Sequence, residues 1–258
     1  MTYDLIKLER NGAITTLVMN RPMLHNAFNP QLITEMTTAL RELAVDDTVR
    51  LLVLTGAGGS FSAGGDIAWM QESIHYSAER NQADAAGLDA MFEALNAMPK
   101  PVLGRVNGAA LGGGVGLVAC CDLVVAVETA HFGFTEVKLG LLPAVIAQYV
   151  VPKIGVSHSR ALFVAGERFS AERAYEIGLI HAITSAEELD SNVQSLAKRM
   201  LTGGPQAIAA AKRLVGAMWD MERSAAKHYA IEAIAAARTS AEGQEGLQAF
   251  LAKRRPQW

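Results

Sequence analysis

Two glycine-bearing segments hold the residue types with the clearest chemical potential. One is "SFSAGGD", residues 60–66; the other is "NGAALGGGVGLVACCDLVV", residues 107–125, where four glycines fall within five positions. Each follows a short apolar run, "LLVLT" or "PVLGRV", and leads into a helical pattern, so each sets glycine at a helix N-terminus just after a strand. Glycine has no Cβ, which lets a ligand approach the backbone closely, and the helix dipole favours negative charge at that end. Two such loops can each aim a free backbone N–H at one point, which is the layout of an oxyanion hole. For either loop alone, tight turns and close helix packing explain the glycines equally well. The same layout twice favours a shared site.

Two other readings of these loops fail on spacing. "GVGLVA", from Gly114, imitates a dinucleotide-binding turn, and Glu128 could serve as the ribose-binding acid. Only five residues separate Gly116 from Asp122, where the next strand is predicted, too few for a helix that crosses a nucleotide-binding sheet. "SFSAG" approaches the G-x-S-x-G elbow of hydrolases, but its first position is Ser60 and the preceding strand ends several residues earlier.

The elements that must position these loops are legible in outline. Three times a short apolar run enters a turn-rich loop and then a helical pattern: "AITTLVMN", "VRLLVLTG" and "PVLGRVNG". Continuous Val/Ile/Leu strands separated by helices predict an α/β core with a largely parallel sheet covered on both faces. Asn29 and Pro30 read as the cap and first turn of a helix over "QLITEMTTALREL", residues 70–98 as one longer amphipathic helix, and residues 123–127 and 131–132 as further strands. Beyond about residue 143 the pattern predicts helices only, one opened by a capping box at Ser185 and Glu188, and a long alanine-rich helix over residues 205–238. The expected organisation is a core over residues 1–200 with a helical region, 201–258, whose apolar stripes suit packing on another subunit.

Composition narrows the function. The chain has 258 residues, half of them apolar, and a formal charge of −3, which gives no basic footprint for nucleic acid. No signal-peptide core or membrane-length apolar segment occurs, so a cytoplasmic protein with no membrane association is expected. Cys120 and Cys121, adjacent in an apolar run, read as buried thiols of a reducing compartment. The six histidines show no i, i+4 pairing, and no metal is expected.

Taken together, "NRPMLHNAFN", "FSAGGDI", "VNGAALGGGVGLVACCDL", "FGFTEVKLGLLP", "AERAYEIGLI" and "FLAKRRPQW" resemble the enoyl-CoA hydratase/isomerase (crotonase) superfamily along essentially the whole chain. The resemblance implies a spiral of ββα turns followed by a helical trimerisation region, assembled as a homotrimer or a dimer of trimers. It implies an acyl-CoA thioester substrate, with coenzyme A as part of that substrate and no separate cofactor. Residue by residue, it implies oxyanion donors at the backbone N–H of Gly65 and Gly113, and a catalytic acid/base at Glu136. CoA contacts are implied along Met23, His25, Ala27, Ala63, Gly65, Asp66, Ile67 and Gly113, with Phe250 and Lys253 reaching CoA from a neighbouring subunit. Burial of Glu136 beside an apolar pocket would raise its pKa and improve it as a base. By residue type alone, Asp66 and Asp122 read as caps and loop braces.

Two departures bear on the reaction. Hydratases of the family use two glutamates, and the first is expected where this chain has Gly116. After "LLP", common members continue with glycines and "TQR", whereas this chain has "AVIAQYVV". The second pattern, with "GGGVGL", resembles bacterial methylglutaconyl-CoA hydratase-like members, which implies hydration of 3-methylglutaconyl-CoA in leucine degradation. A carboxylated acyl group would need donors, for which Lys138, Gln148, Tyr149 and residues 69–76 are candidates. With one glutamate, a Δ3,Δ2-enoyl-CoA isomerase and a non-catalytic acyl-CoA-binding protein are the alternatives.

Overall fold

The computed structural model describes residues 2–258. The chain starts as a hairpin, β1 (Ile6–Asn11) antiparallel to β2 (Ile14–Met19), turning at Gly12. Helix α1 (Pro30–Val45) follows as the Asn-Pro pair predicts: Asn29 Oδ1 accepts from the Leu32 N–H at 2.8 Å, and Pro30 occupies the first helical position.

Then come β3 (Leu51–Gly56), β4 (Ser60–Ser62), α2 (Ile67–Ser73), α3 (Ala78–Asn96), β5 (Val102–Val106), β6 (Ala109–Leu111), α4 (Gly113–Cys120), β7 (Leu123–Val127), β8 (His131–Gly133) and α5 (Ala144–Ala165). In each turn of this spiral the first strand joins a large sheet and the second a small one. With β10 (Ala182–Thr184), the large sheet has the order β1-β2-β3-β5-β7-β10 and is parallel from β2 onward. With β9 (Arg168–Ser170), the small sheet has the order β4-β6-β8-β9, its first three strands parallel. Strand β3 is buried along its whole length, as its continuous apolar run requires of a strand covered on both faces. The core fills the space between the sheets and α1, α3, α4 and α5 with Phe28, Phe61, Phe92, Phe132 and Phe134. Cys120 and Cys121 are buried free thiols within it.

Three sequence expectations are corrected. The helix expected over 70–98 is two helices, because Ser77 starts α3 afresh, its side chain accepting from the Arg80 N–H. The helix expected over 205–238 is likewise two, α8 (Pro205–Asp220) and α9 (Arg223–Thr239), separated by extended backbone at Met221. Strands also occur beyond residue 143: β9 closes the edge of the small sheet and β10 the edge of the large one. Each has only three residues and is set by tertiary pairing, leaving no periodicity to read. Ser185 does accept from the Glu188 N–H, at 3.3 Å, but in a turn that precedes α7 (Leu189–Met200).

Helix α6 (Ala171–Glu176) and α7 pack on the core through Ala171, Ala174, Leu189, Val193 and Ala197. From Pro205 the helices behave differently. No residue of α8 is buried, and α9 and α10 (Ala241–Leu251) bury only Ala226 and Ala249. Apolar side chains at Val215, Trp219, Ile231, Ile234, Phe250 and Leu251 stand exposed. Polar contacts tie this region to the core: Lys212 pairs with Asp122 at 2.7 Å, and Arg50 donates to the carbonyls of Gly203 and Trp258. Asp122 also accepts from the Val102 N–H, the bracing role read from its residue type. No helix among the described residues is long and apolar enough to cross a membrane.

Asn29→Ala removes the cap of α1 and should lower unfolding free energy by about 1 kcal/mol, measured by urea denaturation at unchanged m-value.

Candidate active site

The small sheet determines what meets at the site. Its strands β4, β6 and β8 lie side by side and parallel, so their C-terminal ends open on the same edge. From those ends the chain runs into Gly64-Gly65, Gly112-Gly113 and Thr135-Glu136 respectively.

The two glycine turns share one design. Gly64 has φ +85° and Gly112 has φ +51° with ψ −118°, backbone states that a side chain would strain, and each immediately precedes a proposed donor. Phe28 pairs with Gly65 as an isolated parallel bridge: its N–H donates to the Gly64 carbonyl at 2.6 Å and its carbonyl accepts from the Asp66 N–H at 2.8 Å. That pattern uses the residues flanking Gly65 and turns the N–H of Gly65 itself away from the bridge. Gly113 opens α4, where the first N–H groups have no helical acceptor. Among the described residues neither N–H has a hydrogen-bond partner. The turns touch, since a Cβ on Gly64 would stand 2.8 Å from the Leu111 carbonyl and 3.5 Å from the Gly113 nitrogen. Gly113 itself abuts the Phe28 ring, whose Cε2 lies 2.5 Å from where a Cβ on Gly113 would be.

Glu136 begins a 3-10 turn (Glu136–Leu139), with two residues between it and the end of β8. A Cβ on Gly112 would lie 3.0 Å from Glu136 Oε1, so the carboxyl stands against the second glycine turn. Its other oxygen, Oε2, is buried and has no hydrogen-bond partner among the described residues. A buried acceptor left unmade costs about 1–3 kcal/mol. Burial raises the Glu136 carboxyl above the ordinary glutamate range, against a smaller opposing pull from a backbone hydrogen bond. A carboxyl with a raised pKa beside two N–H donors can move a proton on the carbons next to a carbonyl that those donors polarise.

That geometry has relatives. Residues 9–258 match the sequence profile of the family described as enoyl-CoA hydratase/isomerase. The chain belongs to this family. Over 99% of its length it is 35% identical to a crotonyl-CoA hydratase of Syntrophomonas wolfei, with 98% of that protein covered. Over its whole length it is 31% identical to a 1,2-epoxyphenylacetyl-CoA isomerase of Escherichia coli, with 98% covered. The crystal structure of an enoyl-CoA hydratase from Shewanella pealeana superposes with a TM-score of 0.95 at 38% identity, covering 99% of this chain and 96% of that one. The fold is therefore the crotonase spiral, with its helical C-terminal region.

Among family positions, the structure brings the 23–27 segment and the 63–67 segment together. The Ala63 N–H donates to the His25 carbonyl at 2.9 Å, His25 Nδ1 lies 3.0 Å from Ser60 Oγ, and Ser62 Oγ donates to the Asn26 carbonyl. Met23 and Ile67 are exposed on this surface, and Ala27 is buried. Asp66 caps α2, accepting from the Ala68 N–H at 2.8 Å, and its own N–H is engaged by Phe28. Phe250 and Lys253 are not joined to these loops within one chain: α10 packs principally on α9 and α8. Arg21, Asn26, Ser62 and Phe28 support the loops without having been singled out from sequence; "NRPMLHNAFN" contained three of them.

At Gly116 the structure explains the missing carboxylate. A Cβ there would collide with Ile146 Cγ2 and lie 2.9 Å from Phe92 Cε1. The "AVIAQYVV" segment thus occupies the volume that a side chain at 116 would need. Around it, Tyr149 stacks obliquely on Phe92 at 5.8 Å, and Gln148 and Tyr149 both donate to Asp89. Trp69 Nε1 donates to Asp84, while Lys138 is exposed, its stem against Gly166.

Gly116→Ala should destabilise by about 1–3 kcal/mol through overpacking. Adding Ile146→Ala in the same chain should recover part of that loss, as read from paired denaturation curves.

Proposed function

We propose that this protein hydrates the double bond of a 2-enoyl-CoA thioester. The single observation that carries the reading is that the N–H groups of Gly65 and Gly113, without partners among the described residues, lie in touching turns with the Glu136 carboxyl against the second of them. The thioester oxygen accepts from both N–H groups, which drains charge from C3 and stabilises an enolate. Glu136 takes a proton from water as the water oxygen bonds to C3, and the C2–C3 π electrons move onto the thioester oxygen. The enolate then collapses and C2 takes the proton back from the Glu136 carboxyl. One water is added, and no cofactor beyond the CoA of the substrate enters the balance. Loss of one oxyanion donor typically costs about 3 kcal/mol, so the hole is the largest single contribution here.

The CoA moiety lies, in this reading, along Met23, His25, Ala27, Ala63, Asp66 and Ile67. Phe250 and Lys253 reach it from a neighbouring subunit of a trimer or a dimer of trimers, which the exposed apolar row of α8 to α10 supports. For the acyl group we put forward 3-methylglutaconyl. Its support is the likeness of "GGGVGL" and "AVIAQYVV" to bacterial members of that branch.

A second reading is favoured by the filled space at Gly116. With one carboxyl, the site suffices for a Δ3,Δ2-enoyl-CoA isomerase that moves a proton from C2 to C4. Turnover of crotonyl-, 3-methylcrotonyl-, 3-methylglutaconyl- and 3-hexenoyl-CoA in 18O-labelled water separates the two, since isomerisation incorporates no oxygen. The expected result is label at C3 of the product.

Glu136→Ala should lower kcat by at least about a hundredfold, the contribution usual for a positioned acid/base, while acyl-CoA binding stays within a few-fold. A variant with full hydratase turnover would overturn the assignment.

The pH dependence has a defined sign. Glu136 must be ionised to accept a proton, so kcat/KM should rise with pH through a pKa above the ordinary glutamate range. The same raised pKa means the folded state holds this proton more tightly than the unfolded chain. Ionisation therefore costs stability as pH climbs from the unfolded glutamate pKa to the folded one. Glu136→Gln should abolish that loss, as tested by melting temperature across this window.

A further inference from the structure

Arg21 joins the two segments that meet at the Phe28–Gly65 bridge. Its Nη1 donates to the Ala27 carbonyl at 2.5 Å and its Nη2 to Asp66 Oδ2 at 2.8 Å, with both side chains only 11% exposed. Ala27 precedes Phe28, and Asp66 follows Gly65, so the guanidinium spans the two partners of the isolated Phe28–Gly65 bridge. The Arg21 N–H donates to Asn26 Oδ1, and Asn26, fully buried with φ +55°, donates in turn to the carbonyls of Ala57 and Ser60. Arg21 thereby sits at the head of a buried polar knot beneath the first glycine turn.

A single β-bridge fixes an N–H direction poorly, whereas a catalytic donor must be held within about 0.5 Å and 10–20° of its productive geometry. A buried ion pair is weak grounds for stability, because its desolvation offsets its attraction, but it can fix one arrangement among several. We infer that Arg21 is a positioning residue for the reaction: through Asp66 and the Ala27 carbonyl it aims the Gly65 N–H at the thioester oxygen. This rests on the oxyanion reading given above. The fork is essential to it, because guanidinium presents parallel donors in a plane whereas lysine offers a point charge.

The test uses the full-length protein with Arg21→Lys, Arg21→Met, Asp66→Asn and the Arg21→Met/Asp66→Asn double variant. Three quantities are read: kcat and KM on crotonyl-CoA, the melting temperature, and the red shift of a bound 4-(dimethylamino)cinnamoyl-CoA, whose absorption reports carbonyl polarisation. Asn retains the helix cap, so Asp66→Asn removes the ion pair alone. Each single variant should lose about tenfold or more in kcat at a KM within about threefold, with a smaller red shift, since misplacement by about 1 Å costs up to 10²-fold. Arg21→Lys should fail to rescue, and the double variant should lose no more than the worse single one, as expected of groups acting as a unit. If Arg21→Met does not fold, Arg21→Lys and Asp66→Asn carry the same readout. Unchanged kcat, or a kcat loss with the full red shift, overturns the inference while leaving the oxyanion hole intact. Absence of a red shift in the unaltered protein overturns the oxyanion reading itself and this inference with it.

Discussion

The site depends on the parallel pairing of three very short strands. β4, β6 and β8 have three residues each, too few to be stable alone, and they persist because the longer strands β3, β5 and β7 immediately before them are locked into the large sheet. Parallel pairing makes all three C-terminal ends emerge on one edge. Residues nearly fifty positions apart, Gly65 and Gly113, are thereby placed in adjoining turns, and Glu136 beside them. The candidate site lies beyond the carboxyl ends of these strands, where open α/β sheets generally bind ligands.

This arrangement carries local costs. Gly64 and Gly112 hold backbone states that strain other residues, and among the described residues the Gly65 and Gly113 N–H groups go unpaired and Glu136 Oε2 is buried without a donor. The surrounding structure over-determines the loops: Asn26, Ser62 and Asp66 are all buried and each is hydrogen-bonded to backbone of the 21–28 or 57–68 segments. Rigid support around unsatisfied donors is the pattern expected of preorganised electrostatics.

Gly116 borders a continuous row of packed side chains. Phe28 touches Gly113, Phe92 packs edge-on to Phe28 at 6.3 Å, and Tyr149 lies against Phe92, so one aromatic row runs from the second glycine turn to α5. Ile146 fills the remaining volume beside Gly116. A side chain could not be placed at 116 without also clearing Ile146, which ties the identity of residue 116 to the "AVIAQYVV" segment.

By itself the sequence determined the α/β class, the capped start of α1, the buried parallel strands and the two glycine turns. These are properties of local pattern: apolar periodicity, cap chemistry and positive-φ demands act within a few residues. Through the resemblance its motifs carry, the sequence also pointed to Gly65, Gly113 and Glu136. Only the tertiary structure decided that α2 and α3 are separate helices, that β9 and β10 exist, and that Arg21 and Asp66 meet across forty-five residues. It also decided why Gly116 carries no side chain, since Ile146 and Phe92 reach it from other helices. Such facts depend on long-range contacts whose partners leave no local periodicity, and the unpaired state of a donor is defined only once every other group has found its place.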